Sequence, residues 1–177
     1  MNKLRLLVTD ECDRCCEGCC NKQIWPSGIL EDLGHCLNYE MIMITGGEPL
    51  KFPHLLVELL YQMRRYADRR PIILYTAIKV EKSEFLQIMF YLDGLTFTIH
   101  DKAGWDDFII INKWLTTNPR RLQKRVNIFR DVEIPEVPYV LSLYGWDVKF
   151  ISWVDNCPIP EGETFLRLLY PFTSERL

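Results

Sequence analysis

Apolar residues in this chain alternate between two patterns: short runs rich in β-branched and aromatic residues, and longer stretches with helical spacing. The segments 3–9 (KLRLLVT), 41–45 (MIMIT), 71–76 (PIILYT), 94–100 (GLTFTIH), 125–130 (RVNIFR) and 147–153 (DVKFISW) read as strands. Several are apolar almost throughout, as strands covered on both faces should be. Between them the spacing predicts helices. The clearest spans 53–66, where Leu55, Leu56, Leu59, Leu60 and Met63 form an i, i+3, i+4 stripe, Pro53 suits a first turn, and Arg64 and Arg65 suit the negative C-terminal end. Further helices are predicted over 28–37, 81–91 and 105–117, with a short turn at 137–143. The βαβα order implies a parallel sheet with right-handed crossovers. Five or six strands are too few to close an eight-stranded barrel, which usually takes ~250 residues. The expected fold class is therefore α/β, an open partial (β/α)5-6 barrel with a mostly parallel sheet and a cysteine-bearing loop after the first strand. We expect a single domain over 1–177, with its core at 3–153 and an irregular tail at 154–177.

Composition sharpens this picture. A chain of 177 residues with 48% hydrophobic content suits one sizeable core. A net charge of −3 argues against a broad nucleic-acid footprint, and the short basic stretch Arg120, Arg121, Lys124 and Arg125 reads as a solvated loop. No apolar run reaches membrane-spanning length and no secretory signal is evident, so a cytoplasmic protein with no membrane partner is expected. Seven cysteines, five of them between positions 12 and 20, form a poor disulfide framework and a good soft-metal site for a reducing compartment.

The chemistry concentrates in two segments. Cys12, Cys16 and Cys19 stand as C-x3-C-x2-C in the loop after the first strand, and Gly46, Gly47, Glu48 and Pro49 follow the second. Three thiolates at this spacing can take three irons of a cubane cluster and leave the fourth open for chemistry. Paired glycines let backbone approach closely, and Pro49 directs the chain as it leaves the strand. Cys15 and Cys20 allow a competing partition into Cys12 with Cys15 and Cys16 with Cys19. Two such pairs without a spacer would be unusual for tetrahedral zinc.

In these motifs, and in Thr9 ahead of the cysteines, the chain resembles the radical S-adenosylmethionine (radical SAM) superfamily over roughly residues 3–153. The resemblance implies a [4Fe-4S] cluster on Cys12, Cys16 and Cys19 whose open iron binds S-adenosylmethionine. It further implies an oxidoreductase or lyase in which the reduced cluster cleaves that cofactor to a 5′-deoxyadenosyl radical, and the radical takes hydrogen from an unidentified substrate. An electron donor such as flavodoxin or ferredoxin would be the partner, and the substrate could be a protein or peptide. By the same pattern the backbone at Gly46 and Gly47 meets the methionyl group, and Glu48 orders the loop.

Alternation on the fourth predicted strand puts Thr96, Thr98 and His100 on one face. By resemblance Thr98 and His100 are cofactor-binding candidates, with Thr76 and Asn127 after them, and His100 is the candidate catalytic residue. The family commonly has an aromatic residue over the adenine before its third cysteine. Gly18 stands there in this chain, leaving that contact to Trp25 or to a residue of the last predicted strand. Cys36 and Cys157 read as small buried hydrophobes, and His35 and His54 as surface residues. The segment CEGCCNKQIW also resembles activases of anaerobic ribonucleotide reductase and related glycyl-radical enzymes. Two readings stand as alternatives: a non-catalytic iron–sulfur or zinc module, and an interaction protein on a residual fold.

Overall fold

The computed structural model describes residues 2–14, 16, 18–66, 69–117, 122–134, 144–154 and 157–173. Cys15, Arg120, Arg121 and the segment 137–143 lie outside the described residues.

The architecture is α/β with one open sheet. Strands β1 (Lys3–Leu7), β2 (Gly28–Leu30), β3 (Met41–Thr45), β4 (Ile72–Thr76), β5 (Gly94–Ile99), β6 (Gln123–Phe129), β7 (Trp146–Ile151) and β8 (Glu163–Leu168) are interspersed with helices α1 (Pro53–Tyr66), α2 (Lys82–Phe90) and α3 (Lys102–Thr116). The sheet order is β2-β8-β1-β3-β4-β5-β6-β7, and the paired strands run parallel. Among the described residues β2 and β7 are the two edges of the sheet, which does not close on itself.

The helix-covered face is built by the alternation visible in the strands. Leu4, Leu6, Ile42, Ile44, Ile72, Leu74, Leu95, Phe97 and Ile99 are buried there with Leu56, Leu60 and Met63 of α1, Phe85 and Ile88 of α2, and Phe108 and Ile111 of α3. Burying each such large apolar side chain stabilises the fold by about 1.5–3 kcal/mol. The Asp101 carboxylate accepts from the Gly104 amide at 2.7 Å and so caps α3, which begins three residues before the predicted start. The opposite face is mixed, with Met43, Ile73 and Phe165 buried among charged pairs. Arg5 pairs with Glu163 at 2.6 Å across β1 and β8, and Arg125 with Asp147 at 2.8 Å across β6 and β7. Lys124 donates to the Tyr144 carbonyl and lies over the Trp146 ring, so these two members of the basic stretch are engaged locally.

Two expectations are corrected. Segment 28–37 is no helix: Gly28–Leu30 pairs with β8, and Leu33–Asn38 forms a 3-10 turn whose Asp32 side chain accepts from the Gly34 amide at 2.7 Å. The apolar spacing of Ile29, Leu33 and Leu37 is too short a signal to separate helix from strand plus turn. The tail is not irregular throughout: Glu163–Leu168 forms β8, which inserts between β1 and β2 and buries Phe165 at 1% exposure. The sheet therefore has eight strands where five or six were expected. Among the described residues no helix is long and apolar enough to cross a membrane.

Candidate functional site

The carboxyl ends of β3 to β7 and the loop after β1 enclose a cavity of about 400 Å3. Parallel α/β folds bind their ligands at this end of the sheet, and the volume is within the ~300–1,000 Å3 of small-molecule sites. Cys12, Cys16, Cys19, Gly46, Gly47, Glu48, Thr76, Thr98 and His100 all line it. Pro49 is buried in the turn just beyond, and Asn127, half-buried on β6 beside Thr98 of β5, is not among the lining residues.

The loop after β1 is held by its own backbone. Thr9 is fully buried; its hydroxyl donates to the Phe172 carbonyl at 2.9 Å and accepts from the Glu11 amide at 3.1 Å. The Gly47 amide donates to the Thr9 carbonyl at 2.6 Å and the Glu48 amide to the Glu11 carbonyl at 2.8 Å. These contacts explain both glycines. A Cβ on Gly46, where φ is +153°, would lie 2.4 Å from the Thr9 carbonyl oxygen, and one on Gly47 would lie 2.1 Å from that of Glu11. The pair makes room for the cysteine loop itself.

Glu48 locks the same segment to β4. Its carboxylate accepts from the Thr76 hydroxyl at 2.7 Å, the Ala77 amide at 2.9 Å and the Leu50 amide at 3.0 Å. Burial pushes its pKa up, and the three donors oppose that shift. The Thr76 hydroxyl thus serves Glu48 at this end of β4. On the exposed rim Lys51 pairs with Asp13 at 2.7 Å and Glu11 at 3.2 Å.

Arg14, absent from the candidates read in the sequence, extends into the cavity from between Cys12 and Cys16. It donates to the Ala77 carbonyl at 2.9 Å and pairs with Asp101 at 2.6 Å, while its buried Nε has no partner among the described residues. Burial raises the thiol pKa of both Cys12 and Cys16; for Cys16 the Arg14 guanidinium opposes the rise. His100 Nδ1 is 3.7 Å from Cys16 Sγ, and burial, followed by the Arg14 charge, lowers the imidazole to about 4. His100 is neutral at physiological pH.

The cavity also has an aromatic wall, and its Trp153 belongs to the last predicted strand. Trp153, just past β7, stacks on His100 with ring centres 5.5 Å apart at 5° and on Phe129 at 4.0 Å. A Cβ on Gly18 would lie 2.4 Å from Trp153 Cε3, so only glycine lets the cysteine loop rest on this indole. Trp25 is 78% exposed and outside the cavity. The sequence signal for Trp153 was its place at the end of the last predicted strand.

The thiols need one correction. Cys157 is not a lone buried residue: it is disulfide-bonded to Cys20, 137 positions away, with Cα atoms 5.4 Å apart. A cysteine distribution that suggested no disulfides thus contains one, because the segment after β7 folds back over the cysteine loop. Cys12, Cys16, Cys19 and the fully buried Cys36 are free. His35 and His54 are exposed.

Among the described residues no group of three or more His, Cys, Asp or Glu side chains is arranged to hold a metal ion. Thiolates that each take a different iron of a cubane need not converge on one point. No protein-family model and no curated protein matches this chain.

Proposed function

We propose that this protein is a radical SAM enzyme that holds a [4Fe-4S] cluster on Cys12, Cys16 and Cys19 beside S-adenosylmethionine. The observation carrying this reading is the shared cavity. Three thiols and the Gly46-Gly47-Glu48 segment, distant in sequence, line one space at the carboxyl end of a parallel sheet and are joined by the Gly47–Thr9 and Glu48–Glu11 backbone bonds.

The residues fit such a group. Three free thiols lining the cavity form a soft donor set of the kind that takes iron. When bound, the cluster and S-adenosylmethionine supply the one-electron cleavage that yields a 5′-deoxyadenosyl radical for hydrogen abstraction.

The protein's own contribution is positioning. Glu48 fixes the glycine segment against β4, and the Thr9 network fixes the cysteine loop against β1 and β3. Neutral His100 and Thr98 offer hydrogen-bonding groups to a ligand, with His100 as the candidate for proton handling. Phe129, Ile151 and Trp153 give the cavity an apolar wall that limits water near a reactive species.

Anaerobic reconstitution with iron and sulfide tests the proposal. A broad brown absorbance and reductant-dependent 5′-deoxyadenosine are expected, and Cys16→Ala should abolish both. An unchanged yield in that variant rejects the ligand assignment. Metal analysis giving zinc and no iron after anaerobic purification supports a non-catalytic zinc module in its place. A glycyl signal in electron paramagnetic resonance with a large partner protein assigns the activase subtype.

A further inference from the structure

The same cavity contains a feature that cofactor chemistry does not use. Cys20 and Cys157 both line it, bonded to each other, while Cys12, Cys16 and Cys19 line it as free thiols. The bond ties the residue directly after Cys19 to the segment following β7. A second contact, Trp153 against Gly18, pins the loop one residue before Cys19 to that same segment.

Cys157 also has a positive φ of 34°, the one non-glycine residue with positive φ among those described. Such a conformation is unfavourable for an L residue and persists only where the surroundings impose it. Cys20 is exposed and lines the open cavity, the side from which a thiolate would approach, and the buried Cys157 would be the leaving group. Reachability and imposed backbone strain mark labile disulfides, in contrast to structural ones.

We infer that Cys20–Cys157 is a second redox site of this protein, a disulfide opened by a dithiol reductant to release the cysteine loop. The step balances as thiol–disulfide exchange. One thiolate of the reductant attacks Cys20 Sγ, Cys157 leaves as a thiolate and takes a proton, and the reductant's second thiol displaces Cys20. The products are two protein thiols and an oxidised reductant. While the bond stands, Cys19 is flanked by two anchors and cannot turn freely. Reduction leaves the Trp153 contact alone, so the loop can hinge at Gly18 and settle three sulfurs around a cluster. The bond and its reduction are independent of the proposed function; only the effect on cluster loading rests on it.

The test uses the whole chain, purified anaerobically without reductant. Peptide mass mapping after alkylation should find Cys20 joined to Cys157, with both becoming alkylated after dithiothreitol. A titration in dithiothreitol redox buffer should show a single two-electron transition for that pair. Alkylation of both cysteines before reduction, pairing of Cys157 with a different cysteine, or a bond that resists excess dithiothreitol under native conditions overturns the inference.

Iron uptake then tests the consequence. Oxidised protein should take up at least several-fold less iron than reduced protein, and Cys157→Ser should load without prior reduction. Equal loading of oxidised and reduced protein overturns the gating role. Failure of every form to load, with the redox transition intact, rejects the cluster reading and leaves the disulfide site standing.

Discussion

Gly47→Ala probes the contact on which the site is built. Its Cβ would lie 2.1 Å from the Glu11 carbonyl oxygen, 2.4 Å from the Glu11 carbonyl carbon and 2.7 Å from the Asp10 carbonyl oxygen. All three are backbone atoms, so no rotamer change relieves the overlap. Two loops must part by about 1 Å or more to restore ordinary van der Waals separations near 3.5 Å. That movement breaks or stretches the Gly47–Thr9 and Glu48–Glu11 bonds, now 2.6 and 2.8 Å. Each is worth about 1 kcal/mol net, and overpacking strain adds about 1–3 kcal/mol. The expected destabilisation is about 3–5 kcal/mol, a large share of the ~5–15 kcal/mol that holds a typical domain. For a chain of this length it corresponds to a fall in Tm of roughly 6–20 °C. Urea denaturation at constant m-value is the assay, with Gly28→Ala as control because its Cβ meets only Leu166 Cδ2 at an ordinary 3.4 Å. If Gly47→Ala costs no more than Gly28→Ala, the glycine pair does not exist to seat the cysteine loop.

Three further outcomes follow from the same geometry. Glu48→Gln should cost about 1–3 kcal/mol, since one oxygen acceptor is replaced by an NH2 group facing the Ala77 amide. Burial raises the folded-state pKa of Glu48, so its contribution is present below the ordinary carboxyl range and declines as pH rises through the raised value; a stability–pH profile identical in wild type and Glu48→Gln would contradict the burial argument. His100 has the opposite sign. With the imidazole lowered to about 4, the unfolded chain binds more protons between pH 4 and 6.5, so stability should fall as pH drops through that window, and His100→Asn should flatten the slope; an NMR titration placing His100 near 6.5 would refute this. Phe165→Ala in β8 should cost about 3–5 kcal/mol by thermal denaturation, and a loss below 1 kcal/mol would show that the last strand is peripheral to the core.

The elements whose physics is local were legible before folding. The stripe of α1, the alternation of Leu95, Phe97 and Ile99 against Thr96 and Thr98, and the α/β class all follow from side-chain periods of 3.6 and 2 acting over a few neighbours. The C-x3-C-x2-C and Gly-Gly-Glu-Pro motifs were legible for a related reason: each follows a strand, and parallel strands deliver their ends to one rim of the sheet. Features that depend on distant partners emerged only in the assembled fold. Glu163–Leu168 becomes a strand because β1 has a free edge for it, and three residues at Gly28–Leu30 become one because β8 then presents another. Cys20 met Cys157 through 137 intervening positions, and Trp153 reached Gly18 from the far end of the sheet. The purpose of Gly46 and Gly47 was likewise hidden, because a missing Cβ in sequence does not reveal which backbone fills the space. Periodicity is set by short-range sterics, whereas edges, crossings and close approaches are properties of the assembled sheet.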